Sequence, residues 1–85
     1  MAIDMLYFAW VREAIGTGAE HVDPPADIAT VTALIDWLAE RSEGHARAFA
    51  DRSRLRAALD QKFARLDAPL GKAREVAIFP PVTGG

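Results

Sequence analysis

Cysteine is absent from the 85 residues, which removes disulfides, thiolate metal ligands and any thiol nucleophile at once. Histidine is scarce too. His21 and His45 are the only imidazoles; 24 positions apart and in no recognised ligand pattern, they read as solvated surface residues, and no metal site is expected. No apolar run approaches the ~20 residues needed to cross a bilayer, and no signal peptide opens the chain, so the expected location is cytoplasmic, away from membranes. Nor is there an excess of one charge. Ten Lys and Arg are interleaved with twelve Asp and Glu, for a formal net charge of −2, which leaves no positive field to attract a phosphate backbone and argues against nucleic acid as a partner. The chain is also too short for a second domain.

What is present is ordinary globular material, 51% apolar and 26% charged, enough to offset chain entropy without covalent staples. Ile3 to Trp10 reads as a strand in which Ile3, Met5 and Tyr7 face one side and Asp4, Leu6 and Phe8 the other. Asp4 marks the second side as open, so Leu6 and Phe8 lie on a surface that needs cover, either from a partner or from a loop or helix of the same chain. Val11 to Ile15 suggests a helical turn ending at Gly16, followed by a short strand around Glu20 to Asp23 that Pro24 and Pro25 terminate.

Thr30 is a natural N-cap for an amphipathic helix with Val31, Leu34, Ile35 and Leu38 on one stripe and Asp36, Glu40 and Arg41 on the wet side. Gly44 lies where that helix should be finished. His45 to Leu66 is ambiguous: alanine content and the Leu55, Leu59, Phe63, Leu66 spacing favour helix, whereas Leu55, Ala57 and Leu59 alternate as in a strand. Ala68 to Gly71 breaks the pattern. Glu75 to Phe79 is a last strand, Val76 and Ile78 on one side and Glu75, Ala77 and Phe79 on the other.

After Phe79 the chain reads Pro80-Pro81-Val82-Thr83-Gly84-Gly85. The expected organisation is a folded domain over 1–79 and a flexible diglycine tail over 80–85. Two prolines favour an extended start, and six residues at ~3.3 Å each reach up to ~20 Å, enough to enter a partner's pocket. Without side chains, Gly84 and Gly85 can thread a narrow channel and present the Gly85 carboxylate to a nucleotide. A carboxylate is a poor electrophile, so an ATP-dependent partner would first adenylate Gly85; a sulfur nucleophile could then displace AMP and leave a thiocarboxylate. Lacking cysteine, the chain could not hold sulfur as a persulfide. A Gly-Gly end alone also fits a frayed terminus, but here it directly follows a strand and a stiff Pro-Pro spacer.

The terminal block Glu75 to Gly85, the opening Leu6-Tyr7-Phe8-Ala9-Trp10-Val11-Arg12-Glu13 with Gly16-Thr17, and more weakly Leu55 to Gln61 and Pro69-Leu70 resemble the small subunits of molybdopterin synthase. The resemblance implies an α+β, ubiquitin-like β-grasp fold, a mixed sheet wrapped around one main helix, with the Leu55 region a strand despite its propensity. It implies that an E1-like enzyme adenylates Gly85, that a sulfur donor protein loads it, and that the tail (Pro80, Pro81, Val82, Thr83, Gly84) enters the large synthase subunit to give sulfur to cyclic pyranopterin monophosphate. ATP would be used by the activating partner, and this chain would bind no cofactor and carry no catalytic site of its own. Phe8, Phe63 and Phe79 match positions that pack on the large subunit, although Phe63 could instead fill this chain's core. A heterotetramer is expected by the same analogy. Asp60 departs from the usual asparagine, and Gly71-Lys72-Ala73-Arg74 replaces an acidic loop. A thiamine-type sulfur carrier, a ubiquitin-like modifier and a pure interaction module are the competing functions.

Overall fold

The computed structural model describes residues 1–81. Strand β1 (Ile3–Tyr7) is followed by helix α1 (Ala9–Ile15), β2 (Ala19–Val22), α2 (Val31–Ala39), α3 (Glu43–Ala48), a 3₁₀ turn at Arg52–Arg54, and strands β3 (Arg56–Leu59), β4 (Lys62–Ala64) and β5 (Glu75–Phe79). The five strands form one sheet in the order β2-β1-β5-β3-β4. The last strand inserts between the first and the third, parallel to β1 and antiparallel to β3, so the sheet is mixed. This is the β-grasp arrangement expected.

Alternation decides which side of the sheet is buried. Ile3, Met5 and Tyr7 of β1 and Val76 and Ile78 of β5 are all inaccessible and meet the stripe Val31, Leu34, Ile35 and Leu38 of α2. Burying a side chain of this size contributes roughly 1.5–3 kcal/mol. The start of α2 is set by Thr30, whose hydroxyl accepts from the Ala33 amide at 3.1 Å. The loop after β4 is tied to the same turn: Val31 and Thr32 donate to the carbonyls of Ala68 and Leu66, and Leu70 donates to Ala29.

Three expectations need correction, and the ambiguity over His45 to Leu66 is resolved, with a strand following Leu55 as the resemblance implied. β1 stops at Tyr7 rather than Trp10, because Ala9 adopts φ 53° and turns the chain into α1. Gly44 does not finish α2, which ends at Ala39; it lies inside α3, where a Cβ would stand 2.4 Å from the Ala14 carbonyl oxygen. The glycine is there because α1 and α3 pack backbone to backbone. The stretch His45 to Leu66 is neither all helix nor all strand but a short helix, a 3₁₀ turn and a hairpin. His45 is not a surface residue. It is 6% exposed, with Nε2 2.6 Å from Glu20 Oε2 and Nδ1 2.7 Å from Ser42 Oγ. Tyr7 donates its hydroxyl to the same Glu20 oxygen at 2.7 Å, so one carboxylate clamps β1, β2 and α3 together. Burial first, and then the bond to Glu20, push the Tyr7 phenol far above its usual range.

His21 remains exposed, paired with Asp4 at 2.7 Å. Among the described residues, no group of three or more His, Asp or Glu is placed to hold a metal ion, and no helix is long and apolar enough to cross a membrane.

Candidate functional site

The helices cover one face of the sheet, and among the described residues the other face is open. The register assembles it row by row: Leu6 lies beside Ala77, Ala77 beside Ala58, and Ala58 beside Phe63. Two alanines in the middle of a row flanked by larger groups make a trough. Ala58 and Ala77 are each 8% exposed and form its floor, while Leu6, Phe8, Ala9, Gln61, Glu75, Phe79, Pro80 and Pro81 complete a groove of about 580 Å³.

Its rim is aromatic. Phe63 is 84% exposed and Phe8 49%, and the Phe63 and Phe79 rings lean together with centroids 5.9 Å apart at 55°. Phe63 therefore does not fill the core. Its strand β4 is at the sheet edge, and pairing with Ala58 directs its side chain to the open face. Phe8 is left on that face because β1 carries it there by alternation before Ala9 turns the backbone away. A left-handed alanine costs roughly 1–2 kcal/mol, and such strain concentrates where a side chain must be presented.

β5 delivers the chain to the same place. Phe79 is the last strand residue, and Pro80 and Pro81 follow it along the groove wall. The other expected tail positions, Val82, Thr83, Gly84 and Gly85, lie outside the described residues.

The far end of β5 is held by the tight turn between β3 and β4. Asp60 and Gln61 take φ 49° and 72°, the left-handed pair required by a two-residue hairpin turn. Asp60 Oδ1 accepts from both the Arg74 and Glu75 amides at 3.0 Å, and the Asp60 amide donates to the Glu75 carbonyl at 2.9 Å. The departure from asparagine is thus occupied structurally, since the oxygen that does this is common to both residues. Lys72 and Arg74 flank that end of β5, opposite to the end from which the tail leaves.

Strand alternation brought out Leu6, Phe8 and Phe79 in advance, and Ala77 with them. Ala58 and Gln61 were not identified as groove residues, because their position depends on β3 being a strand and on its register with β5. Arg56, beside Phe79, and the contact between Arg54 and Trp10 were also missed. Arg54 lies over the Trp10 ring, 4.8 Å from its centroid, and Arg56 is the register partner of Phe79. No local pattern announces either contact.

Comparison with known proteins agrees with this architecture. The family model described as the ThiS family matches residues 5–85. The molybdopterin synthase sulfur carrier subunit of Escherichia coli is 47% identical over 83 residues, covering 98% of this chain and 99% of the relative. The protein of the same name from Haemophilus influenzae is 35% identical over the same shares. Among solved structures, Haloferax volcanii small archaeal modifier protein 1 superposes with a TM-score of 0.74 at 26% identity, covering 95% of this chain and 98% of that one. A family model spanning nearly the whole chain and a relative of almost half identity lead to one conclusion: the chain belongs to the ThiS family.

Proposed function

We propose that this chain is the sulfur carrier and small subunit of a molybdopterin synthase, working through the carboxylate of Gly85. The observation that carries the reading is the aromatic-rimmed, open sheet face at the point where β5 hands over to the Pro80-Pro81 segment. A partner that closes on Phe8, Phe63 and Phe79 holds the body of the carrier while the six residues after Phe79, with a reach of up to ~20 Å, extend into its pocket. The near-end-to-end likeness to sulfur carrier subunits supports the same assignment.

In this reading an E1-like enzyme binds the chain, and the Gly85 carboxylate attacks the α-phosphate of ATP, releasing pyrophosphate. Sulfide-level sulfur supplied by a donor protein then attacks the Gly85 acyl carbon, the bond to AMP breaks, and the thiocarboxylate remains. The loaded tail next enters the large synthase subunit and donates its sulfur to cyclic pyranopterin monophosphate. The chain contributes the acyl group and the docking face; the activating enzyme uses the ATP, and this chain holds no cofactor.

Likeness to a small archaeal modifier protein favours a second reading, a modifier joined to lysine side chains. Intact-mass and peptide mass spectrometry after co-expression with the activating enzyme separates the two. A carrier exchanges one oxygen for sulfur at Gly85, whereas a modifier forms isopeptide adducts. The carrier reading requires the first result, and it fails if removal of Gly85 leaves sulfur transfer to the pterin precursor intact.

A further inference from the structure

We propose that Arg54 and Arg56, with Trp10 beneath Arg54, form a basic recognition surface beside the tail's exit, and that its occupant is a carboxylate-bearing rim of the partner protein that receives the tail. The proposal rests on the carrier reading above and adds what the partner's surface must contain.

Arg56 lies beside the groove residue Phe79, and Arg54 is two positions before Arg56 in the chain. Arg56 pairs in register with Phe79 and shares the open face with Ala58 by alternation; Arg54 stacks on Trp10, two residues beyond Phe8. Both are exposed. Both are also held in place before any partner arrives: Arg54 by the indole, and Arg56 by bonds from Nη1 to the carbonyls of Leu55 at 2.8 Å and Ser53 at 3.3 Å. Among the described residues neither enters an ion pair, whereas neighbouring Arg52 is engaged by Asp36 at 2.7 Å. Asp51, on the same turn, is within range of Arg54's field, but its Oδ1 accepts from the Ser53 amide and hydroxyl.

A surface that covers Phe79 tightly enough to guide the tail meets its register partner Arg56 and, extended along the 3₁₀ turn, Arg54, and strips water from them. An uncompensated charge in such a seam is strongly unfavourable. A carboxylate is the protein group that matches a guanidinium fork in both charge and geometry. Opposite charge placed around the tail's exit would also speed encounter in the productive orientation.

The test measures association of the wild-type chain with the purified large subunit of molybdopterin synthase by stopped-flow fluorescence over a range of salt concentrations. In the Arg54→Gln, Arg56→Gln double variant the association rate should fall by about 10-fold at low salt and lose most of its salt dependence. Arg47→Glu, on α3 away from the groove, should leave both unchanged. Arg54→Lys with Arg56→Lys should keep the association rate and dissociate faster, and this pair preserves the test if circular dichroism shows the Gln variant unfolded. Wild-type rates and salt dependence in a folded Gln variant would overturn the proposal while leaving the carrier reading intact. Absence of binding by the wild-type chain would overturn the large-subunit reading, and the proposal with it.

Discussion

Phe63 and Phe79 are sixteen positions apart in the chain, yet their rings meet at 5.9 Å across the open face of the sheet. They belong to β4 and β5, which do not pair with each other; β3 lies between them, with Ala58 beside Phe63 and Arg56 beside Phe79. The contact therefore spans the intervening strand on the open face. An aromatic pair contributes about 0.5–1.5 kcal/mol, a small return for leaving Phe63 in water.

Phe63→Ala should separate stability from binding. Urea unfolding should show a loss of no more than about 1 kcal/mol, because the ring is mostly solvated in the free chain. Titration calorimetry with the large subunit should show affinity falling by about 10-fold or more, as for a central aromatic anchor. Equal losses in both experiments would mean that the ring serves the fold.

Asp60 should be replaceable by asparagine but not by alanine. Alanine removes the acceptor shared by the Arg74 and Glu75 amides and places a poor residue at φ 49°; chemical denaturation should record a loss of about 1–3 kcal/mol. Asparagine keeps an oxygen in place and should lose clearly less.

At the next position of the same turn, Gln61→Gly should be stabilising. Gln61 has φ 72°, where glycine carries no Cβ penalty, so thermal unfolding should show a gain of up to about 1 kcal/mol.

Gly44→Ala should be destabilising although alanine is the better helix former. The new Cβ would lie 2.4 Å from the Ala14 carbonyl oxygen and 3.3 Å from the Ile15 Cα, so α1 and α3 must separate, at a cost of about 1–3 kcal/mol by urea denaturation. Gly18→Ala is the contrasting case, since the nearest atoms there belong to the flexible Arg12 side chain.

The Glu20 clamp predicts an acid limb. Burial alone would raise the Glu20 carboxyl, but hydrogen bonds from His45 and Tyr7, aided by the charges of His45 and Arg41, outweigh it and hold the group below its ordinary range. A carboxyl lowered in the folded state contributes stability that is complete above its unfolded value, roughly 4.3, and is lost as pH falls through the folded value. Melting temperature should therefore decline below about pH 4.3, and Glu20→Gln should flatten that part of the profile. An unchanged acid limb in the variant would show that Glu20 is not its source.

Much of this molecule follows from neighbours along the chain. The Thr30 cap, the stripe from Val31 to Leu38, the stop at Gly16 and the two-faced patterns of β1 and β5 depend on turns and on periods of 3.6 and 2 residues, which the backbone imposes locally. Those patterns were sufficient to place Leu6, Phe8 and Phe79 on an open face and to end β5 at Pro80. Other features required the folded chain. Arg56 to Leu59 is a strand because β5 offers it a ladder, against a helical propensity too weak to resist; only that pairing turns Ala58 into the floor of a groove and Phe63 into its rim. Gly44 lies in a helix and not after one because α1 approaches it, and His45 is buried because Glu20 and Ser42 satisfy both ring nitrogens. Local order is written in spacing and capping, whereas the docking face, the Glu20 clamp and the arginines beside the tail arise from groups distant in the chain that meet only when the sheet closes.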